Sequence, residues 1–111
     1  MTYLIVKIYD HDCPICAETS GYDERIVEEL GMHFLAISLE KIASALKNPS
    51  TSFINTVAWR VKGSCLEEDG TITLPIYLVY DEGTEGFKCV LEDFENSDEF
   101  EQQLDKLLLP K

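Results

Sequence analysis

The stretch YLIVKIYDHDCPIC, residues 3–16, predicts how the chain begins to fold. Residues 3–9 are rich in β-branched and aromatic side chains and carry a single charge, a pattern typical of a largely buried strand. The polar residues 10–12 end that strand, and Pro14 suits the first turn of a helix because its missing N–H is not needed there. The stretch therefore predicts a strand leading directly into a helix, with two cysteines at the junction.

Outward from this junction, the spacing of apolar residues predicts alternating helices and strands to the end of the chain. Gly31 stands where a helix C-terminal cap would sit, and Gly21 weakens the helix before it. After the first strand, the sequence predicts a helix over about 14–30, a strand over 32–39 and a helix over 40–47. A further helix from 53 to about 62 follows the capping residues 50–52. Strands over 72–80 and 87–91 form a predicted hairpin, and a final helix follows the capping residues 96–99.

Composition places the chain among ordinary globular domains. Of its 111 residues, 45% are hydrophobic and 27% are charged, so a core can form and wholesale disorder is excluded. A chain of this length is expected to form one domain over residues 1–111. The longest apolar run near the start, residues 4–6, is too short for a leader or a membrane span, so we expect a cytoplasmic location.

The charge balance argues against two classes of partner. Asp and Glu number 21 against 9 Lys and Arg, which gives a formal net charge of −12 at pH 7. Such a chain repels phosphate backbones and anionic lipid surfaces. We therefore expect no nucleic-acid partner and no membrane partner.

The cysteines of the junction, Cys13 and Cys16, have the C-x-x-C spacing of thiol redox motifs. A helix N-terminus presents unpaired N–H groups and a partial positive charge, which together stabilise a thiolate. Cys13 is expected at or just before the first helical residue and exposed, whereas Cys16 is expected one turn further in and more buried. Cys13 is thus the candidate nucleophile, and Cys16 is the candidate resolving thiol that attacks a mixed disulfide formed at Cys13.

A metal site is the alternative interpretation of the same spacing. A structural zinc site normally takes a second pair of ligands at a similar spacing. The remaining candidates stand singly in the sequence: His11, His33, Cys65 and Cys89. Proline directly after the first cysteine also favours redox chemistry, so we expect no metal site.

Residues 8–16, Ile-Tyr-Asp-His-Asp-Cys-Pro-Ile-Cys, resemble the active-site approach of the thioredoxin/glutaredoxin superfamily, where Cys-Pro-x-Cys is the dithiol glutaredoxin form. Residues 73–75, Thr-Leu-Pro, are similar to the segment where that superfamily places a cis-proline facing the disulfide. The resemblance implies an α/β thioredoxin fold, with a central mixed sheet of four strands flanked by helices. It also implies that Pro75 is cis and that the backbone of Leu74 pairs with a bound substrate strand. From the residues alone, Pro75 could be an edge-strand proline in the trans form, which is much the commoner state of X–Pro bonds.

The chain departs from both branches of the superfamily it resembles. Thioredoxins carry a buried Asp six positions before the first cysteine, where this chain has Lys7. Glutaredoxins carry a basic residue in the approach to the motif, where this chain has Asp10 and Asp12. They also carry a Gly-Gly pair after the proline strand, which is missing here after residue 91. Glutathione carries two carboxylates, so Asp10 and Asp12 beside the motif should repel it. We therefore expect dithiol chemistry without a glutathione site.

The predicted function is reduction of protein disulfides by dithiol exchange through residues 13–16. Pro14 and Ile15 are expected to tune the potential, and Leu74 and Pro75 to shape the substrate groove. The redox centre is the protein's own dithiol, so no cofactor is expected. The expected partners are disulfide-containing protein substrates and a protein or thiol reductant, with the chain acting as a monomer. Two alternatives remain open: a glutathione-dependent glutaredoxin, which could bridge an Fe–S cluster between two chains, and a non-catalytic binding module with this fold.

Other residues near the motif, or with reactive or aromatic side chains, have simpler interpretations. His11 could shuttle a proton near the nucleophile, since imidazole titrates near neutral pH, although a solvated loop position is the simpler interpretation. Asp12, like Asp10, would oppose a nearby thiolate by its charge. The remaining residues are expected to be structural: Cys65 as an isolated half-exposed thiol, Cys89 and Trp59 as core residues, and Tyr77 and Tyr80 as packing residues.

Overall fold

The computed structural model describes residues 2–109, which form a four-stranded sheet with helices on both faces. The elements, in chain order, are β1 (Tyr3–Tyr9), α1 (Pro14–Thr19), α2 (Asp23–Glu29), β2 (His33–Ser38), α3 (Leu39–Lys47), α4 (Phe53–Ser64), β3 (Ile76–Asp81), β4 (Gly86–Val90) and α5 (Ser97–Leu108). The strands lie in the order β2-β1-β3-β4. The α/β class and the mixed four-stranded sheet expected from the sequence are confirmed.

Strand β1 is hydrogen-bonded on both sides, because it runs parallel to β2 and antiparallel to β3. Tyr9 at its end pairs with Ser38 of β2, and Ile8 pairs with Ile76, the first residue of β3. The carboxyl end of β1 therefore lies beside the amino end of β3. This register brings the loop that follows β1 and the segment that precedes β3 to the same edge of the sheet.

The alternation of side chains along β1 separates two hydrophobic cores. Val6 and Ile8 point to the face covered by α3 and α4. Tyr3 and Ile5 point to the opposite face, which α2 and α5 cover. Lys7 follows the alternation of Tyr3 and Ile5, so a charged side chain enters the α2 face of the sheet and is 3% exposed there.

The helix expected over residues 14–30 is wrong in one respect, because the chain forms two helices separated by a turn at residues 20–22. In that turn, the backbone N–H groups of residues 21 and 22 donate to carbonyls three residues back, whereas that of residue 20 still donates to the carbonyl four residues back. Gly21 favours the break through its low helix propensity. Asp23, the first residue of α2, is buried under the turn at 2% exposure.

The strand expected over residues 72–80 is wrong at its beginning. Strand β3 starts only at Ile76, and Ile72 instead forms an isolated antiparallel bridge with Leu66. Pro75 has no N–H to give to the ladder, which agrees with pairing that begins directly after it.

Two residues expected in the core lie nearer the surface. Trp59 is 49% exposed, because Val57, Ala58 and Val61 take the inward positions of α4. Its ring lies 4.9 Å from Nζ of Lys62. Cys89 is half-buried rather than fully buried, and it packs against the edge of the core that α5 covers.

The helix ends agree with the capping that the sequence predicts. Ser52 and Asn96 each accept a hydrogen bond from a backbone N–H three residues ahead, at the starts of α4 and α5. Gly31 takes a φ of 80° after α2, a conformation that glycine adopts without strain. None of the helices within residues 2–109 has both the length and the apolar character needed to cross a bilayer.

Candidate active site

Cys13 and Cys16 are joined by a disulfide at the start of α1, with their Cα atoms 5.2 Å apart. Cys13 is the N-cap residue and Pro14 is the first helical residue, as the sequence predicts. The backbone N–H of Cys16 donates to Sγ of Cys13 at 3.1 Å. One of the N–H groups left unpaired by the helix start therefore points at the sulfur expected to act as the nucleophile.

The two sulfurs differ in their access to solvent. Cys16 is 4% exposed, whereas Cys13 is half-buried and thus less open than expected. Pro14 is exposed beside it, and Ile15 is 58% exposed. Cys13 therefore lies beside two exposed apolar residues, whereas Cys16 is buried.

The segment before β3 meets the disulfide from the neighbouring strand. The Leu74–Pro75 peptide bond is cis, as the resemblance implies. The carbonyl oxygen of Leu74 lies 3.9 Å from Sγ of Cys13, across 61 positions of sequence. Leu74 and Pro75 are both partly buried. The structure thus brings the predicted groove residues next to Sγ of Cys13.

His11 and Asp12, the predicted modulating residues, both lie on the surface of the loop before α1. The ring of His11 meets the ring of Tyr9 edge-on, with 5.6 Å between the ring centroids. Asp10, by contrast, is partly buried. The two acidic residues of the approach are therefore placed differently, and Asp10 is the more enclosed.

A cavity of about 360 Å³ opens beside the disulfide. Its lining includes both cysteines of the disulfide and two residues of the preceding loop, Asp10 and His11. Lys7 and Asp23 contribute as well, and they are its most buried charged residues. The cavity therefore connects the redox pair with an ion pair inside the protein.

That ion pair joins β1 to α2 directly under the disulfide. Nζ of Lys7 donates to Oδ2 of Asp23 at 2.6 Å, to Oγ1 of Thr19 at 3.1 Å and to the carbonyl oxygen of Cys16 at 3.0 Å. All three ammonium protons have acceptors. The hydroxyl of Tyr77, on β3, donates to the same Asp23 oxygen at 2.7 Å. These buried hydrogen bonds thus connect β1, α1, α2 and β3 next to Cys16.

Tyr77 remains a phenol in this network rather than a phenolate. Burial raises its pKa well above the ordinary value, and the neighbouring Asp23 carboxylate raises it further. Tyr77 therefore keeps its proton and donates a hydrogen bond to Asp23. Tyr77 also packs on Phe100 with 5.1 Å between ring centroids, so it fills the predicted packing role as well.

In the sequence, Lys7 stands out only as a departure from the thioredoxin pattern, and no motif marks Asp23. A lysine inside an otherwise apolar strand was the available signal, since a fully buried lysine requires a partner. The partner could not be named from the sequence. Asp23 reaches Lys7 only because the chain turns at residues 20–22, and that turn was not predicted.

Cys65 and Cys89 are free thiols, and both lie outside the cavity lining. Burial raises the pKa of Cys65, although the nearby Arg60 acts in the opposite direction. Burial likewise raises the pKa of Cys89, with Lys88 opposing it. Within residues 2–109, the structure brings together no group of three or more His, Cys, Asp or Glu side chains suited to a metal ion.

Comparisons with known proteins identify the fold. Neither protein-family models nor curated protein sequences match this chain. A solved structure described as a thiol:disulfide interchange protein of the thioredoxin family, from Chlorobium tepidum TLS, superposes with a TM-score of 0.62 at 16% identity, covering 96% of this chain and 80% of that one. A second, described as a malarial protein, gives a TM-score of 0.60 at 14% identity, covering 98% of this chain and 100% of that one. The chain therefore has the thioredoxin fold, as its sequence motifs imply.

Proposed function

We propose that this protein is a thiol–disulfide oxidoreductase that reduces protein disulfides with Cys13 and Cys16. The observation that carries the proposal is the asymmetry of the pair at the start of α1. Cys13 is the N-cap, is half-buried and receives a backbone N–H on its sulfur. Cys16 is buried one turn further on. The thioredoxin fold and the C-x-x-C disulfide support the general reaction class.

In the proposed reaction, the Cys13 thiolate attacks one sulfur of a substrate disulfide. A Cys13–substrate disulfide forms, and the other substrate sulfur leaves as a thiolate that takes up a proton. Cys16, as a thiolate, then attacks Sγ of Cys13, which closes the Cys13–Cys16 disulfide and releases the second substrate thiol. The substrate gains two electrons and two protons, and the protein loses them. A dithiol protein or a thiol compound must return them.

The groove that receives the substrate is formed by Ile15 on one side of Cys13 and by Leu74 and Pro75 on the other. In this proposal, the backbone of Leu74 pairs with an extended substrate segment, and the exposed Ile15 side chain supplies apolar contact. The chain acts as a monomer and its own dithiol replaces any cofactor. The acidic loop at Asp10 and Asp12 favours a protein reductant over glutathione.

Capture of a mixed disulfide tests these roles. Cys16→Ser should hold a disulfide-containing protein covalently on Cys13, because the intramolecular release step is removed, whereas Cys13→Ser should hold nothing. Cys65→Ser is the matched control, since it removes a thiol outside the site and should leave turnover unchanged. The turnover assay is reduction of insulin disulfides with dithiothreitol as the final reductant. Equal capture by Cys16→Ser and Cys13→Ser would contradict the assignment of Cys13 as nucleophile and Cys16 as resolving thiol. No acceleration over dithiothreitol alone would favour a binding module.

A further inference from the structure

We propose that the loops around Cys13 form an acidic docking surface that selects protein substrates whose disulfide is flanked by lysine or arginine side chains. This inference rests on the proposed function, because it names the class of substrate that the same dithiol reduces. It is carried by the placement of charge on the sheet edge where the cysteine pair lies.

Three loops meet at that edge of the sheet. Strands β1 and β4 end there and β3 begins there, because β3 runs antiparallel to both. The loops are residues 10–13, 66–75 and 91–96. The backbone N–H of Leu91 donates to the carbonyl oxygen of Tyr77 at 2.9 Å, so the third loop leaves the sheet beside the start of β3. Neighbouring strands are about 4.8 Å apart, so the third loop begins roughly 10 Å across the sheet from β1.

The charges of these loops have one sign. The three loops carry eight of the 21 acidic residues of the chain and none of its nine lysines and arginines. We call these eight residues the acidic rim, and all of them except Asp10 are exposed. Within residues 2–109, no lysine or arginine forms an ion pair with any residue of the rim. The rim consists of Asp10 and Asp12, the acidic residues at 67–69, and Glu92, Asp93 and Glu95.

Contacts within the protein fix the backbone that carries the rim. The side-chain amide of Gln103, on α5, accepts from the backbone N–H of Glu92 and donates to its carbonyl oxygen, both at 2.8 Å. The ring of Phe94 packs on the ring of Tyr77, with 5.6 Å between centroids. In the loop before β3, the backbone N–H of Glu67 donates to the carbonyl oxygen of Thr71 at 2.8 Å. A docking partner therefore meets preformed loops and does not have to order them.

The centre of this surface is apolar, in contrast to its rim. Ile15 is 58% exposed beside Cys13, and Leu66, at the start of the second loop, is 45% exposed. Protein interfaces commonly combine an apolar centre with a charged or polar rim, and like charges that face each other across an interface are strongly unfavourable. The partner that fits has an apolar contact at its disulfide and basic side chains around it. The loops are spaced by about one Debye length at 0.1 M salt, about 10 Å, so their charges act together on a partner docked at Cys13.

Two matched substrates test the proposal. They are synthetic peptides that each contain one intramolecular disulfide and differ only at the flanking positions, which are lysine in one peptide and glutamate in the other. The readout is the rate constant for reduction of each peptide by the reduced wild-type protein in a single turnover. We expect the lysine peptide to react at least about tenfold faster at low ionic strength, with a ratio that falls towards one as salt is added.

Charge reversal on the rim should remove this preference. Glu67→Lys with Glu92→Lys changes one exposed residue in each of the two loops that do not carry the cysteines, and it should lower the ratio of the two rates severalfold. The ratio cancels any change in the reactivity of Cys13 itself, because both peptides react with the same sulfur. The matched control is Glu28→Lys with Glu101→Lys, which makes the same change of net charge at exposed positions of α2 and α5 outside the rim. It should leave most of the preference in place.

Equal rates for the two peptides, or a ratio that salt does not alter, would overturn the inference. An equal loss of preference in the rim variant and in the control would overturn it too, since overall charge and not the rim would then govern the choice. If the rim variant does not fold, the salt dependence of the wild-type ratio still decides. Failure of the reduced wild-type protein to reduce either peptide would instead count against the proposed function.

Discussion

At the scale of single residues, the four cysteines of this chain differ in burial and in their electrostatic surroundings. Cys13 is half-buried and receives a backbone N–H on its sulfur, and Cys16 is buried behind it. Cys65 and Cys89 are partly buried in surroundings that raise their pKa. Thiol reactivity follows the thiolate fraction and access, so these environments predict an order of reaction.

In the reduced protein at neutral pH, we expect Cys13 to be alkylated first, and Cys16, Cys65 and Cys89 to react at least about tenfold more slowly. The raised pKa of Cys65 and Cys89 means that fewer of these thiols are ionised at neutral pH, so their rates should climb as the pH is raised. Iodoacetamide kinetics at several pH values, with peptide mapping, measure this order. Faster labelling of any cysteine other than Cys13 would contradict the assignment of the nucleophile.

Tyr77 should make the fold sensitive to alkali. Its pKa is raised in the folded state by burial and by Asp23, so the unfolded chain ionises first as the pH rises. The stability that the phenol contributes is complete below the ordinary tyrosine pKa of about 10 and is lost progressively above it. Tyr77→Phe should cost about 1–3 kcal/mol near neutral pH through the lost hydrogen bond to Asp23. It should also flatten the alkaline loss, as measured by urea unfolding from pH 8 upwards. An alkaline slope equal to that of the wild-type protein would contradict this account.

At the scale of elements, the join between α3 and α4 depends on one buried amide. Asn55 in the first turn of α4 is 5% exposed, and its Nδ2 donates to the carbonyl oxygen of Ala45 at 2.7 Å. That carbonyl belongs to the end of α3, where helix carbonyls lack partners within the helix. The side chain of Asn55 therefore holds the second helix against the end of the first.

Asn55→Ala should lower the free energy of unfolding by about 1–3 kcal/mol, because it leaves a buried carbonyl without its donor. Thr56→Ala, at the neighbouring exposed position of the same helix, is the control and should change stability by less than about 0.5 kcal/mol. Chemical unfolding of both variants measures the difference. Equal effects would mean that helix propensity, and not the buried hydrogen bond, governs the join.

The helices and strands show which parts of the fold could be predicted from the sequence and which could not. The strand over residues 3–9 and the helix start at Pro14 follow from local pattern and capping chemistry, and both are present. The broken helix at residues 20–22 and the late start of β3 depend on tertiary contacts and on the missing N–H of Pro75. The Lys7–Asp23 ion pair depends on that break, so it could not be predicted from a sequence pattern that indicates one continuous helix.

At the scale of the whole molecule, the net charge of −12 should influence the choice of reductant. Glutathione is anionic at neutral pH, and it would approach Cys13 past Asp10 and Asp12. A unit charge within about 4–6 Å changes an interaction by on the order of 1 kcal/mol at a solvated surface. Repulsion of that size slows a small anion more than it slows a protein reductant with a complementary surface.

Asp10→Lys should therefore raise the rate of reduction by glutathione by roughly tenfold, and added salt should reduce the gain. Glu101→Lys makes the same change of charge on the exposed face of α5 and should have little effect. The rate is measured with glutathione and its reductase at low and high ionic strength, with the thiolate fraction of Cys13 determined separately. An efficient wild-type rate that salt does not alter would indicate a glutathione site.

The central position of β1 has a consequence for how the molecule opens. Because β1 is bonded to neighbours on both sides, its amide protons should exchange with deuterated solvent only when the whole sheet separates, whereas those of the edge strand β4 should exchange through local fraying. Strand β1 carries Lys7 and leads directly to Cys13. Thermal fluctuation at the β4 edge should therefore leave the candidate site assembled until global unfolding.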